Sequence, residues 1–271
     1  MCVMRKMTMM LTLSVVVLLV AATAQAAVVS HFAMNENTGT TTADSVAGND
    51  GGTLTANVGW STDTPDSSTS SLSFPGSGSG IATSYVSVTG STPGTYVSPT
   101  SAFSVSVWFK ADSIVGTAGK SIVTLPSSTG NAFQLFLGAI SGLSGYDGIC
   151  IGSAGSTFAR LRTTDMTNPE ATLGDNTWHN VIVSFDGVNA TAASSYAIYL
   201  DDVSQTLGAA SSYGGVNNSD LIIGGVTTRT DTNFNGLIDE LKVYDTVIPE
   251  PATMSLLGIG GLLALVRRRR K

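Results

Sequence analysis

Along the middle of the chain, apolar side chains return at every second position. Phe103, Val105, Val107 and Phe109 alternate with Ser104, Ser106, Trp108 and Lys110, which puts the first four on one face of an extended strand. His179, Val181, Val183 and Phe185 share a face in the same way, opposite Trp178 and Ile182. Tyr196, Ile198 and Leu200 form a third run, Leu221 to Ile223 ahead of Gly224 and Gly225 a fourth, and Gly236 to Tyr244 a fifth. Clusters of Gly, Asn, Asp, Ser and Pro separate them and read as turns. The body shows no amphipathic helix and no internal repeat. Large residues on both sides of some strands, as at Trp178 and Val181, predict a two-sheet antiparallel sandwich whose inner strands are covered on both faces.

Two terminal segments depart from this alternation. The first 26 residues carry Arg5 and Lys6, an apolar run from Met9 to Ala22, and then Ala24-Gln25-Ala26. A basic start, a 14-residue apolar stretch and small residues at the −3 and −1 positions predict a secretory signal peptide cleaved after Ala26, with export through the Sec translocon. Once it is cleaved, Cys150 is the only thiol, so no intrachain disulfide can form. At the far end, Pro249-Glu250-Pro251 precedes an apolar run from Met254 to Val266 and then Arg267-Arg268-Arg269-Arg270-Lys271. A helix started by Pro251 and ending at Val266 would be about 24 Å long against a hydrocarbon core of about 30 Å, a marginal membrane anchor. Its basic cluster resists translocation and keeps that end cytoplasmic, with the body outside. The division predicted is 1–26 signal peptide, 27–247 β domain and 248–271 sorting or anchor segment.

Charged residues make up 12 % of the chain against about 25 % in an average globular protein, which excludes a coiled coil or a charged disordered tail. At 271 residues, one large β domain with terminal signals is enough to fill the chain. Net charge is −6, but seven of the 13 bases lie in the two terminal segments. Residues 27–248 keep 6 bases against 18 acids, a balance of −12 that repels phosphates and excludes nucleic acid as a partner.

The C-terminal segment resembles the PEP-CTERM sorting signal of Gram-negative bacteria, with a Pro-Glu-Pro motif, a short apolar helix and an Arg-rich tail in that order. The resemblance implies recognition of Pro249, Glu250, Pro251 and the cluster Arg267, Arg268, Arg269 and Arg270 by an exosortase. The protein would be anchored transiently in the inner membrane, then released or transferred to the envelope, the surface or the exopolysaccharide matrix.

The body resembles the laminin G-like, concanavalin A-like jelly-roll family. The matching pieces, in order, are Leu72-Ser73-Phe74-Pro75-Gly76, Phe103 to Lys110, Trp178-His179-Asn180-Val181, Phe185-Asp186-Gly187, Tyr199-Leu200-Asp201-Asp202 and Phe234 to Tyr244. One departure is Asp202, where the family usually has Gly at a hairpin turn; Asp tolerates a left-handed turn residue better than most. The resemblance implies an all-β jelly roll that binds glycans or other proteins without catalysis. The rival class is a divergent polysaccharide-degrading enzyme, a glycoside hydrolase or lyase.

Sugar binding on a β sandwich needs aromatics for stacking, and Trp60, Tyr146 and Tyr213 lie in turn-rich segments suited to it. The family often holds one structural Ca²⁺ where an N-terminal loop meets the last strand, which nominates Asp44, Asn49 and Asp239. Residues 231–239 also match the first nine positions of an EF-hand loop, but Lys242 stands where a bidentate carboxylate is required, so a strand is expected there. Asp239 and Glu240, adjacent on a strand, are expected to face opposite ways and so not to form a glycosidase pair. The related glucanases carry Glu-x-Asp-x-x-Glu on one strand, which is absent here. His31 and His179 lack metal-ligand spacing, and His179 reads as a packed or hydrogen-bonded residue. The expected mature form is checked by intact-mass measurement on protein from its native envelope, which should show residues 1–26 and the basic tail removed.

Overall fold

The computed structural model describes residues 26–65, 68–76, 84–89, 98, 100–115, 119–126, 133–138, 148–153, 161–209, 220–226 and 232–249. The signal peptide apart from Ala26, the sorting segment from Glu250 onward, Tyr146 and Tyr213 lie outside the described residues. The strands in chain order are β1 (Val28–Phe32), β2 (Thr41–Thr42), β3 (Gly52–Leu54), β4 (Gly59–Ser61), β5 (Ser71–Pro75) and β6 (Val86–Val88). Then come β7 (Phe103–Ala111), β8 (Lys120–Leu125), β9 (Phe133–Leu137), β10 (Ile149–Ser153), β11 (Leu161–Thr163) and β12 (His179–Phe185). The last are β13 (Tyr196–Leu200), β14 (Val203–Gln205), β15 (Leu207–Ala209), β16 (Leu221–Ile223) and β17 (Asn235–Tyr244).

They form two antiparallel sheets. The first runs β14-β13-β12-β7-β17-β5-β4, with β1 also on β17; the second runs β15-β11-β10-β9-β8-β16-β6-β3-β2. The five runs expected from alternation are β7, β12, β13, β16 and β17. Phe103, Val105, Val107 and Phe109 all enter the core, as do Val181, Val183, Phe185, Ile198 and Leu200. Asp201 and Asp202 both take positive φ, 50° and 66°, and close the β13–β14 hairpin, so Asp serves in place of the family's Gly. The one short α-helix described, α1 (Pro169–Leu173), starts where Asn168 accepts from the Ala171 N–H and Pro169 opens the first turn. Its Glu170 caps Ser113 and the Ile114 N–H.

An aromatic ladder ties the sheets together. Phe103, Phe185 and Tyr196 are direct cross-strand partners on β7, β12 and β13, with ring centroids 5.5 and 4.8 Å apart. Phe133 of the second sheet meets Phe103 edge-on at 5.2 Å. The second sheet is buried on its far side too, at Phe136, Cys150 and Ile222, whereas the far side of the first is partly open at Trp108, Trp178 and Ile182. That partly open side is the outer face of the first sheet.

β17 is central to the first sheet. β7 pairs along one edge, while β5 takes the first half and β1 the second half of the other. Close to its start, Gly236 has φ +137°, and a Cβ there would lie 2.0 Å from the Lys110 carbonyl oxygen. Replacing Gly236 by Ala must therefore push β7 and β17 apart. The expected cost is about 3 kcal/mol, lowering the melting temperature by roughly 6–12 °C in a thermal unfolding experiment.

Candidate functional site

Strand parity places three rows of side chains on the outer face. Trp108 of β7 lies in register with Asn180 of β12 and Asp239 of β17, and Lys110 with Leu237. Trp178 immediately precedes β12 and reaches the same neighbourhood as Lys110. Both grip one carboxylate: Trp178 Nε1 donates to Asp63 Oδ1 at 2.8 Å, and Lys110 Nζ donates to Asp63 Oδ2 at 2.6 Å. Asp63 lies between β4 and β5, and its carbonyl accepts from Ser71 Oγ at 2.7 Å, which holds it over the sheet. The Lys110 ammonium and the Trp178 N–H keep the Asp63 carboxyl below the usual carboxylate range, against a small opposing effect of burial. Trp108 and Trp178 are half-buried, so each presents part of an indole ring.

Beside this group, the register of β17 against β7 slips between Asp239 and Lys242. The slip is a bulge, with Glu240 in the left-handed region at φ +50°. Ile238 and Leu241 both enter the core, so Asp239 and Glu240 between them both lie on the outer side. This corrects the expectation that adjacent residues face opposite ways: simple alternation fails where one residue is inserted. Glu240 Oε2 is 2.6 Å from Lys242 Nζ and 3.0 Å from His31 Nε2. Burial opposes its ionisation, but Lys242 and His31 outweigh it and hold the carboxyl low. Asp239 is fully buried; one oxygen accepts from the Glu240 N–H at 2.8 Å and Oδ2 has no hydrogen-bond partner. Burial pushes its carboxyl up to about 7, helped by the Glu240 charge and opposed by the Glu240 N–H, the Ser68 hydroxyl and Lys242.

His179 anchors a separate rim cluster. Its Nδ1 lies 2.7 Å from Asp201 Oδ2, and its Nε2 lies 3.0 Å from Thr177 Oγ1 and 3.3 Å from Asp175 Oδ1. The arrangement has the outline of a Thr-His-Asp relay. However, Thr177 Oγ1 donates to Asp175 at 2.7 Å, so its proton is directed away from the imidazole. His179 also lies against Phe109 with ring centroids 5.6 Å apart, consistent with a packed, hydrogen-bonded residue.

These features sit on a chain whose residues 76–251 match a laminin G family model described as the concanavalin A-like lectin/glucanases superfamily. The chain belongs to that superfamily. Residues 247–271 match the PEP-CTERM protein-sorting motif, which marks an exported protein of a Gram-negative bacterium, sorted by exosortase to the envelope or beyond. No curated protein matches the chain. Among solved structures, it is similar to Domain 4 of AbnA, a GH43 extracellular arabinanase from Geobacillus stearothermophilus, in complex with arabinotriose. Identity is 15 %, coverage 83 % of this chain and 96 % of that one, and the TM-score 0.53. It is also similar to the botulinum neurotoxin serotype G binding domain, at 13 % identity and TM-score 0.54, covering 86 % of this chain and 51 % of that one. The chain thus spans about half the length of the neurotoxin domain. At these identities the likeness is one of fold.

Within this superfamily scaffold, the sequence-predicted residues are distributed unevenly. Asp44 and Asn49 come together, but Asp239 has other partners. Asp44 Oδ1 accepts from the His31 and Val46 N–H groups, both at 2.9 Å. Asp44 Oδ2 accepts from Ser30 Oγ at 2.5 Å and Asn49 Nδ2 at 2.8 Å. Asn49 must turn its NH₂ this way, because its other partner, the Val29 carbonyl, is also an acceptor. Both oxygens of Asp44 therefore already face protein donors. Asp44 and Asn49 thus bond each other and β1, Asp239 bonds the Glu240 N–H, and among the described residues no three His, Cys, Asp or Glu side chains gather as a metal site. The pair instead fastens the 44–49 loop to β1. Trp60 donates from Nε1 to the Gly39 carbonyl at 2.9 Å and packs partly buried against the core. Trp108 and Trp178, on the outer side of the first sheet, were not among the nominated residues. Their signal was present, since alternation already put them opposite the core-facing residues of their strands.

The raised Asp239 carboxyl has a consequence for stability. Its folded pKa of about 7 exceeds the unfolded value of about 3.9, so the folded state binds more protons between those pH values. Stability should therefore fall as pH rises through that window. Urea midpoints measured from pH 4 to 8 should show this decline, and Asp239→Asn should flatten it.

Proposed function

We propose that residues 27–247 form a non-catalytic cell-surface or exopolysaccharide-matrix protein that binds polysaccharide through the outer face of its first sheet. The protein reaches that location through the Sec translocon and exosortase, with the C-terminal apolar segment as a transient membrane anchor. The observation that carries the reading is the pair of half-buried indoles, Trp108 and Trp178, on neighbouring strands beside Asp63, Asn180 and Lys110. Sugar rings present an apolar face to an aromatic plane and a rim of hydroxyls to polar groups, and this surface offers both. The solved arabinanase domain of the same fold, with its bound arabinotriose, supports the reading by analogy.

The arrangement of carboxylates speaks against glycan cleavage. A glycosidase needs an acid and a second carboxylate that both reach the scissile bond. Asp239 has the raised pKa of an acid but is fully buried, and Glu240 is bound by Lys242 and His31. Ionic and hydrogen-bonded ties of this kind hold the bulge in place.

The test is retention of the mature protein on insoluble polysaccharides. Trp108→Ala and Trp178→Ala should each weaken retention about tenfold, in line with about 1–2 kcal/mol for a lost aromatic contact, while leaving the fold intact by circular dichroism. Release of reducing ends or unsaturated products, abolished by changing a single carboxylate, would establish the enzymatic class instead.

A further inference from the structure

Which sugars the outer face accepts depends on the group presented at its centre. We infer that Asp63 is the specificity-determining residue, and that the face binds neutral, hydroxyl-rich polysaccharides while rejecting polyuronates and other polyanions. The inference rests on the glycan-binding reading above and narrows its ligand class.

Two cations lie on this face among the described residues, and each is capped by a carboxylate. Lys110 is capped by Asp63 and Lys242 by Glu240, both at 2.6 Å. Exposure decides what a ligand meets at the first pair: the Asp63 side chain is 45 % exposed, the Lys110 side chain only 18 %. An approaching sugar therefore encounters the carboxylate, with the ammonium beneath it. Each Asp63 oxygen accepts one hydrogen bond from the protein, Oδ1 from Trp178 and Oδ2 from Lys110. An ionised carboxylate has about four acceptor sites, so one lone pair on each oxygen is left for a ligand. Two acceptors side by side, next to an indole plane, match a pair of neighbouring hydroxyls on a neutral sugar ring.

A uronate in the same position would set its own carboxylate against Asp63 and, among the described residues of the face, find no unpaired cation, since Lys242, though more exposed than Glu240, is bonded to it at 2.6 Å. The body around it, with 6 bases against 18 acids, adds repulsion at longer range. The capping of Lys110 thus turns what would be an anion site into a hydroxyl site.

The experiment compares retention of the mature protein, Asp63→Ala, Asp63→Asn and the double variant Asp63→Ala/Lys110→Gln on neutral arabinan and on polygalacturonate, at low and high salt. The wild type should bind arabinan and ignore polygalacturonate. Asp63→Ala should lose about tenfold on arabinan and gain salt-sensitive binding to polygalacturonate, because Lys110 is uncovered. The double variant should lose that gain. Asp63→Asn keeps the side-chain shape and guards against misfolding; with the negative charge gone, it too should bind polygalacturonate better than the wild type. Equal binding of both polymers by the wild type, or no change in either Asp63 variant, overturns the inference and leaves the glycan reading standing. Failure of the wild type to retain either polymer overturns the glycan reading itself, and this inference with it.

Discussion

Side-chain parity along β17 is the constraint on which the rest of this structure depends. That one strand shares its backbone hydrogen bonds with β7 on one edge and with β5 and then β1 on the other, so segments from the beginning, middle and end of the chain all take their register from it. In a half-buried sheet, a one-residue slip would exchange the core and outer faces of every paired strand. The Phe103, Phe185 and Tyr196 ladder resists such a slip, because its rings meet only in one register. Gly236 resists it differently, by allowing β17 to approach the Lys110 carbonyl more closely than a side chain would permit.

Within that constraint, the bulge at Asp239 and Glu240 is a local departure that shapes the outer face. It places two carboxylates on the same side and leaves Glu240 in a backbone conformation that costs energy for a non-glycine residue. His31 and Lys242 hold it there through their contacts with the Glu240 carboxylate. Asp239 is buried in the same step, which accounts for its raised pKa. Bulges re-aim side chains, and this one separates a buried acid from a charged surface cluster.

The two sheets then divide the work unequally. The second is covered opposite the core at Phe136, Cys150 and Ile222. The first keeps a partly open side, where indoles and paired charges occur together. Of the charge pairs there, Asp63–Lys110 leaves the acid the more exposed partner, whereas in Glu240–Lys242 the base is the more exposed one.

Much of this was legible in the sequence where the physics is local. Alternation at two-residue spacing reports directly on which face a side chain takes, so β7, β12, β13 and the aromatic core could be read, and Trp108 and Trp178 could have been. The C-terminal sorting signal was legible for a related reason, because charge and hydropathy act on the unfolded chain as it crosses a membrane. The Asp63 contacts with Lys110 and Trp178 were not, since they join residues 47 and 115 positions apart. The bulge was not, because no glycine marks it and one of its two supports, His31, comes from β1. Nor were the partners of Asp44, whose donors come from β1 as well as from its own loop. What the chain determined by itself was strand identity, facing and destination, which follow from short-range periodicity and composition. Which carboxylates are buried, capped or exposed was decided only by tertiary structure, because electrostatic environment depends on neighbours that the fold brings from distant parts of the chain.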